Sequence, residues 1–401
     1  MSSPIIFHID VNSAFLSWSA LAQLEAGSET DLRLIPSIVG GDMSTRHGVV
    51  LAKSIPAKAY GITTGEPVIN AFRKCPGLVS VAPDHRLYSQ RSRQLMDYIK
   101  GICPDIEQVS IDECYMDYTP IAANYSSPEA AAALIKDTVY EKFGFTVNVG
   151  ISDRKVLAKM ASDFKKPNLV HTLYSYEISE KLWPLPVSRL FLCGRSSAQT
   201  LKKLGILTIG DLARADTAIL SSHLKSHGLM LWNYANGLDT STVLPEPAEA
   251  KGIGNSTTLT KDALTRDEAV KILLELAESV GRRLRAAHCR AGLVCTEIKY
   301  SSFKSVSHQS VLETPSASTD VIYRTACALF DELWNGSPIR LLGIRTGKLA
   351  EEDGPVQLSL FDYAAPVSEK QQKLDAALDK IRSKYGDNAI KRGSLMDSPH
   401  Q

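Results

Sequence analysis

The chain has 401 residues, 44% hydrophobic and 22% charged, which is the make-up of an ordinary globular protein too long for one domain, so two to four modules are expected. No run approaches the roughly 18–20 apolar residues that cross a bilayer, and no basic segment leads into an apolar signal core; these features argue against a membrane or secreted protein, and a cytoplasmic one is expected. A net charge of +1 carries no overall nucleic-acid signature, and seven scattered cysteines without a Cys-x-x-Cys pair argue against zinc or a disulfide framework, leaving buried reduced thiols.

In chain order, Pro4–Ile9 reads as a buried strand ending at Asp10, and Ser13–Ala26 is apolar at helical spacing with Gly27 as its stop. Residues 37–82 hold short strands, a turn at Gly40-Gly41 and a small helical segment from Ile55 to Ile62. Helices follow around Tyr88–Ile99 and over Pro128–Phe143. Between them Glu107–Ile111 alternates as a strand expected beside the first, and Cys114–Tyr118 resumes after Asp112-Glu113 as the second arm of a hairpin.

Further on, Pro245–Ala250 reads as a linker by its proline content and lack of period. Beyond it come a helix at Arg266–Ala287, strands at Ala291–Tyr300 and Val306–Leu312, a helix at Thr319–Leu333 and a strand at Arg340–Lys348. This suits a compact β-α-β-β-α-β module. Residues 251–348 carry 14 basic against 10 acidic residues, so the basic excess sits there. Phosphate neutralisation supplies most sequence-independent DNA affinity, which makes this module the expected grip on a duplex; an ordinary charged surface has the same count. Ser368–Tyr385 reads as an amphipathic helix with Leu374, Ala377, Leu378 and Ile381 on one stripe.

The chemistry concentrates at Asp10 and at Ser110-Ile111-Asp112-Glu113. Magnesium wants oxygen ligands and is held by one or two carboxylates with phosphates and water. Two such ions about 3.5–4 Å apart lower the charge barrier on both attacking and leaving oxygens. Three carboxylates can hold that pair if a turn brings them to one side, although by adjacency alone the Asp-Glu pair equally suits a solvated turn.

Asp10-Val11-Asn12-Ser13-Ala14-Phe15, Ser110–Tyr115, and Val149-Gly150-Ile151-Ser152 through Lys159-Met160-Ala161 to Lys166-Pro167-Asn168 resemble, in order and separation, the three palm signatures of Y-family translesion DNA polymerases. The similarity is greatest to the bacterial branches related to polymerase IV and to the catalytic subunit of polymerase V, and it extends to about residue 361. It implies a multidomain α+β right-hand fold: palm at 1–13 and 83–173, fingers at 14–82, thumb at 174–244, linker at 245–250, little finger at 251–349 and a tail at 350–401.

The resemblance also implies roles. Asp10, Asp112 and Glu113 would be catalytic and, with the Val11 main-chain carbonyl, would bind two Mg2+ ions. Phe15 matches an aromatic steric gate against ribose, though its spacing alone fits a core position as well. Lys58 and Lys166 match cations that bind the triphosphate, while Ile55 stands where a phosphate-binding Tyr is usual and Asn12 where an acid is common. Cys193-Gly194-Arg195 to Ile206 resembles the thumb helix-hairpin-helix, with Leu192 in place of its first Gly.

Gln357-Leu358-Ser359-Leu360-Phe361 is similar to the peptide by which bacterial polymerases bind the sliding β clamp. The implied partners are primer-template DNA, deoxynucleoside triphosphates and that clamp, with no membrane, the protein acting as a monomer. The implied activity is error-prone, template-directed synthesis past damaged bases, without proofreading. Another palm-fold nucleotidyl transferase or cyclase, and a non-catalytic clamp-binding relative, are the competing readings.

Overall fold

The structure, a computed structural model, describes residues 4–42, 48–246, 249–351, 369–386, 389–390 and 392–393. It divides into two units, one holding residues 4–42 and 48–246 and the other the described residues from 249 onward. The clamp-like peptide 357–361 lies outside the described residues.

The first unit begins with β1 (Ile6–Val11), α1 (Ala14–Glu25), β2 (Ser37–Gly40), β3 (Val50–Lys53), α2 (Ile55–Ala59), α3 (Val68–Lys74) and β4 (Val79–Val81). It continues with α4 (His85–Ile102), β5 (Ile106–Gln108), β6 (Glu113–Asp117), α5 (Pro128–Phe143), β7 (Val147–Ser152), α6 (Lys155–Ser162) and β8 (Val170–Thr172). Its last helices are α7 (Arg195–Lys203), α8 (Ile209–Ala213) and α9 (Thr217–Ala235).

Five strands form one sheet in the order β5-β6-β1-β7-β8. Strand alternation divides β1 between two faces. Phe7, Ile9 and Val11 enter a core shared with Leu95, Ile99, Ile135 and Val139 of α4 and α5. His8 and Asp10 point to the opposite face, where α6 crosses. That helix lies close because Gly150 has no side chain: a Cβ there would sit 2.0 Å from the Ala158 carbonyl oxygen and 2.4 Å from the Ser162 nitrogen.

The segment expected beside β1 requires correction. Strand β1 lies between β6 and β7, with Asp10 opposite Glu113 on β6, and β5 lies one strand further out as the hairpin partner of β6. Residues 109–112 form the turn, closed by Val109 N–H donating to the Glu113 carbonyl at 3.1 Å. The strand ends earlier than Ile111 because the register that buries Cys114 and Met116 leaves Val109 47% exposed.

Strands β3-β2-β4 make a separate small sheet with its own core of Ile38, Val50, Ile62, Val68 and Leu78. Gly40 is not a turn residue there. It pairs with Val50, and its missing Cβ admits Val68, whose Cγ2 would otherwise be 2.8 Å away. The terminal helices of the unit pack around Leu190, Leu201, Ile209, Leu212 and Leu231. Before α7 the backbone turns at Leu192 with φ 62°, so a leucine adopts the left-handed conformation usual for glycine.

The second unit contains β9 (Gly254–Ala263), α10 (Arg266–Ala286), β10 (Cys289–Tyr300), β11 (Ser305–Ser316), α11 (Thr319–Leu333), β12 (Ile339–Glu351) and α12 (Glu369–Tyr385). Its antiparallel sheet has the order β11-β10-β12-β9, with α10 and α11 packed through Leu273, Val280, Ile322 and Phe330. Thr265 and Glu268 start α10 with a reciprocal capping box.

The expected C-terminal helix is present as α12, with Leu378 and Ile381 of its apolar stripe half-buried. Leu374 is 47% exposed, whereas Asp375 and Arg382 are buried. Asp375 and Asp379 meet Arg285, and Arg382 meets Glu278 at 2.7 Å, so charged pairs hold the most buried positions of the helix. Among the described residues all seven cysteines are free thiols, and no helix is long and apolar enough to cross a membrane.

Candidate active site

The pairing of Asp10 with Glu113 places two carboxylates side by side at the open end of β1 and β6. Asp112 lies in the turn just before. Its Oδ1 accepts from the Ser110 hydroxyl at 2.6 Å, and its carbonyl accepts from Val11 N–H at 3.0 Å. Ligand atoms of His8, Asp10 and Glu113 lie within 4.8 Å of one another, while Asp112 falls outside that group.

Two ammonium groups balance the acids. Lys159 on α6 reaches between them, its Nζ 2.5 Å from Glu113 Oε2 and 3.2 Å from Asp10 Oδ2. Lys166 Nζ lies 2.7 Å from the other Asp10 oxygen and 2.9 Å from Asp163. Burial opposes the charge of both lysines, yet Asp10 and the neighbouring carboxylates raise their pKa values above the ordinary range.

The carboxylates themselves diverge. The nearby His8 ring, together with Lys159, lowers Glu113 to about 2. Burial, reinforced by the charges of Asp10 and Glu113, raises Asp112 against the opposing bond from Ser110. Asp112 therefore sits in an excess of negative field. Oxygen donors that need added positive charge fit a hard divalent cation, and the lysine between Asp10 and Glu113 marks where positive charge is favoured.

The loop carrying Lys166 is pinned by Asn12 and Asn148. Asn12 Nδ2 donates to Asn148 Oδ1 at 3.1 Å, Asn12 Oδ1 accepts from Asn168 N–H at 2.9 Å, and Asn148 Nδ2 donates to the Lys165 carbonyl at 2.7 Å. An amide at position 12, which both donates and accepts, can make this bridge; a carboxylate could not donate.

A cavity of about 810 Å³ opens beside these residues. Asp10, Asp112, Phe15, Lys58 and Lys166 all line it, as does Lys53 of β3. Its size lies in the usual range for small-ligand sites. Phe15 is half-buried at the start of α1, and its ring stacks on Tyr88. Lys58 is exposed on α2, with no ion pair to another described residue. With Val11, the structure thus gathers six of the expected site residues about one cavity and places Glu113 next to it.

The motifs include Lys159 and Ser110 without giving either a role, and they assign none to His8. The first had a signal, since Lys155 and Lys159 lie one helical turn apart on the α6 face turned to β1. His8 had one too, two residues before Asp10 on the same strand face.

Comparison with known proteins adds a separate line. Residues 9–163 match the impB/mucB/samB family and residues 250–360 match its C-terminal domain. The chain is 45% identical over 395 residues to DNA polymerase IV of Clostridium acetobutylicum, covering 98% of this chain and 99% of that one. It is 35% identical to DNA polymerase IV 1 of Bacillus subtilis, covering 98% and 94% respectively. Among solved structures, a chimeric Y-family DNA polymerase superposes with a TM-score of 0.73 at 23% identity, over 86% of this chain and 99% of that one.

Proposed function

The chain belongs to the impB/mucB/samB family of Y-family DNA polymerases, and on that premise we propose that it extends primers past damaged template bases by nucleotidyl transfer at Asp10, Asp112 and Glu113. It is a DNA-directed DNA polymerase of the translesion type, with the right-hand fold of that family.

Asp10, Asp112, Glu113 and the Val11 carbonyl would hold two Mg2+ ions, which when bound neutralise charge on the attacking and leaving oxygens. The residues of the chain set the geometry around them. Lys166 and Lys58 line the cavity from the loop after α6 and from α2, where they can grip a triphosphate aligned for attack by a primer 3′ hydroxyl on the α-phosphate, with pyrophosphate leaving. Lys159 and Lys166, held now by Asp10, can be exchanged for a metal or turned to phosphate without leaving a carboxylate bare. Phe15 fills the space beneath C2′ of the sugar, so a deoxyribose fits and a ribose hydroxyl does not.

The basic 251–349 module would grip the duplex, and Gln357–Phe361 would dock on the sliding clamp, raising the local concentration of polymerase at a primer end. Leu360→Ala with Phe361→Ala is expected to remove clamp stimulation and leave distributive synthesis. The protein would act as a cytoplasmic monomer without proofreading. Full-length similarity, through the C-terminal domain, favours this reading over a cyclase.

The observation that carries the proposal is the Asp10–Glu113 pairing with Asp112 in the adjoining turn of one cavity. Asp112→Asn should abolish primer extension while leaving primer-template binding intact; undiminished extension would overturn the assignment.

A further inference from the structure

His8 is completely buried, two residues before Asp10 on the same face of β1. Tyr115 and Gly150 flank it on the neighbouring strands. Its ring meets Tyr115 edge-on at 4.8 Å, and its Nδ1 lies 2.9 Å from the Ser162 hydroxyl of α6. The other nitrogen, Nε2, is 3.3 Å from Glu113 Oε2, too poorly aligned to count as a hydrogen bond, and it has no hydrogen-bond partner among the described residues.

A buried polar nitrogen aimed at a carboxylate is costly unless the two are matched. A carboxylate can only accept, so the matching tautomer carries its hydrogen on Nε2. Ser162 Oγ then donates to Nδ1, giving up its alternative bond to the Lys159 carbonyl at 2.8 Å.

We propose that His8 is a positioning residue: through Nε2–H it fixes the orientation of the Glu113 carboxylate for a divalent cation, while Ser162 fixes the tautomer. This rests on Glu113 being a metal ligand, as proposed above. Partners behind a ligand typically matter by about 10–100-fold in metal affinity or activity.

The test compares His8→Phe, which keeps a ring without N–H, His8→Gln, which keeps a donor, and Ser162→Ala. Mn2+ binding to the protein with primer-template DNA is followed by loss of the free-ion EPR signal, alongside single-nucleotide insertion at varied Mg2+. For His8→Phe we expect Mn2+ affinity to weaken, half-saturating Mg2+ to rise and kcat to fall, each about tenfold. KM for the nucleotide should stay unchanged. His8→Gln should recover most of the loss, and Ser162→Ala should shift Mn2+ affinity in the same direction by about threefold.

Wild-type Mn2+ affinity in His8→Phe, or equal impairment by Phe and Gln, would overturn the inference. If His8→Phe does not fold, a near-wild-type Mn2+ affinity in His8→Gln together with a weakened one in Ser162→Ala supports a donor at position 8; no shift in Ser162→Ala overturns it. Glu113→Gln separates the two levels. Full extension by that variant defeats the underlying assignment, whereas an inactive Glu113→Gln beside a normal His8→Phe defeats the role of His8 alone.

Discussion

The ring of Phe15 lies flat against that of Tyr88, with centroids 4.4 Å apart and planes 7° from parallel. Tyr88 is wholly buried, and its hydroxyl is bonded to Ser19 Oγ at 2.8 Å, so the surface behind Phe15 cannot retreat. A gate needs such backing, because a ring free to swing aside excludes nothing. Phe15→Ala should raise the ratio of ribonucleotide to deoxyribonucleotide kcat/KM by about a hundredfold, and Tyr88→Leu by less. Unchanged sugar discrimination in Phe15→Ala would count against the gate.

Lys58 and Lys166 differ in what they give up. Lys58 is free of ion pairs among the described residues, whereas Lys166 leaves Asp10 and Asp163 if it turns to a phosphate. Each alanine variant should raise KM for the incoming nucleotide by about tenfold or more, the range for hydrogen bonds to charged groups. Lys166→Ala should in addition lower kcat, because it touches Asp10. A titration of nucleotide in single-turnover extension separates the two effects.

The C-terminal helix tests a different kind of contact. Arg285 Nε lies 2.6 Å from Asp379 and Nη1 lies 3.5 Å from Asp375, whose carboxylate also accepts from Thr319 N–H at 3.1 Å. Removing one partner of a buried pair leaves a charge uncompensated. Arg285→Ala should destabilise the second unit by about 3 kcal/mol, read from urea unfolding. A shift under about 0.5 kcal/mol would show that the helix is held otherwise.

Leu192 holds φ 62° while remaining 51% exposed, so little burial offsets its strained backbone. The left-handed conformation costs an L-residue about 1–2 kcal/mol, part of which glycine recovers against its larger unfolded-state entropy. Leu192→Gly is expected to raise thermal stability modestly, and a loss of stability would show that the leucine side chain packs usefully.

Much of this architecture was legible from residue patterns because the signals were local. Pro128–Phe143 and Thr319–Leu333 are found at the expected bounds, each an apolar-periodic run with end signals such as Ser127 and Gly144. Strand β9 was not located, since Gly-Asn-Ser-Thr-Thr-Leu-Thr-Lys-Asp-Ala has few apolar residues and is ordered by pairing with β12. Likewise, the neighbour of β1 was misplaced because pairing is a tertiary choice: the strand that buries Cys114 and Met116 competes successfully with the one before the turn. The charged contacts of α12 are not legible in its apolar stripe for a related reason. A leucine stripe predicts burial only if no stronger complement exists, and Arg285 and Glu278 supply one.

At the site, three motifs pointed to Asp10, Asp112 and Glu113, but no motif shows which cation stands between them. Lys159 and His8 become visible only once α6 closes on β1 across Gly150.

The most direct measurement is primer extension on a template with a single abasic site, using purified protein, Mg2+ and all four deoxynucleotides, with Asp10→Asn in parallel. The wild-type chain should insert opposite the lesion and continue beyond it. Asp10→Asn should bind the same primer-template equally well and extend it at least about 10³-fold more slowly. Failure of the wild type to add nucleotides even on undamaged template, or wild-type extension by Asp10→Asn, would contradict polymerisation at this carboxylate site.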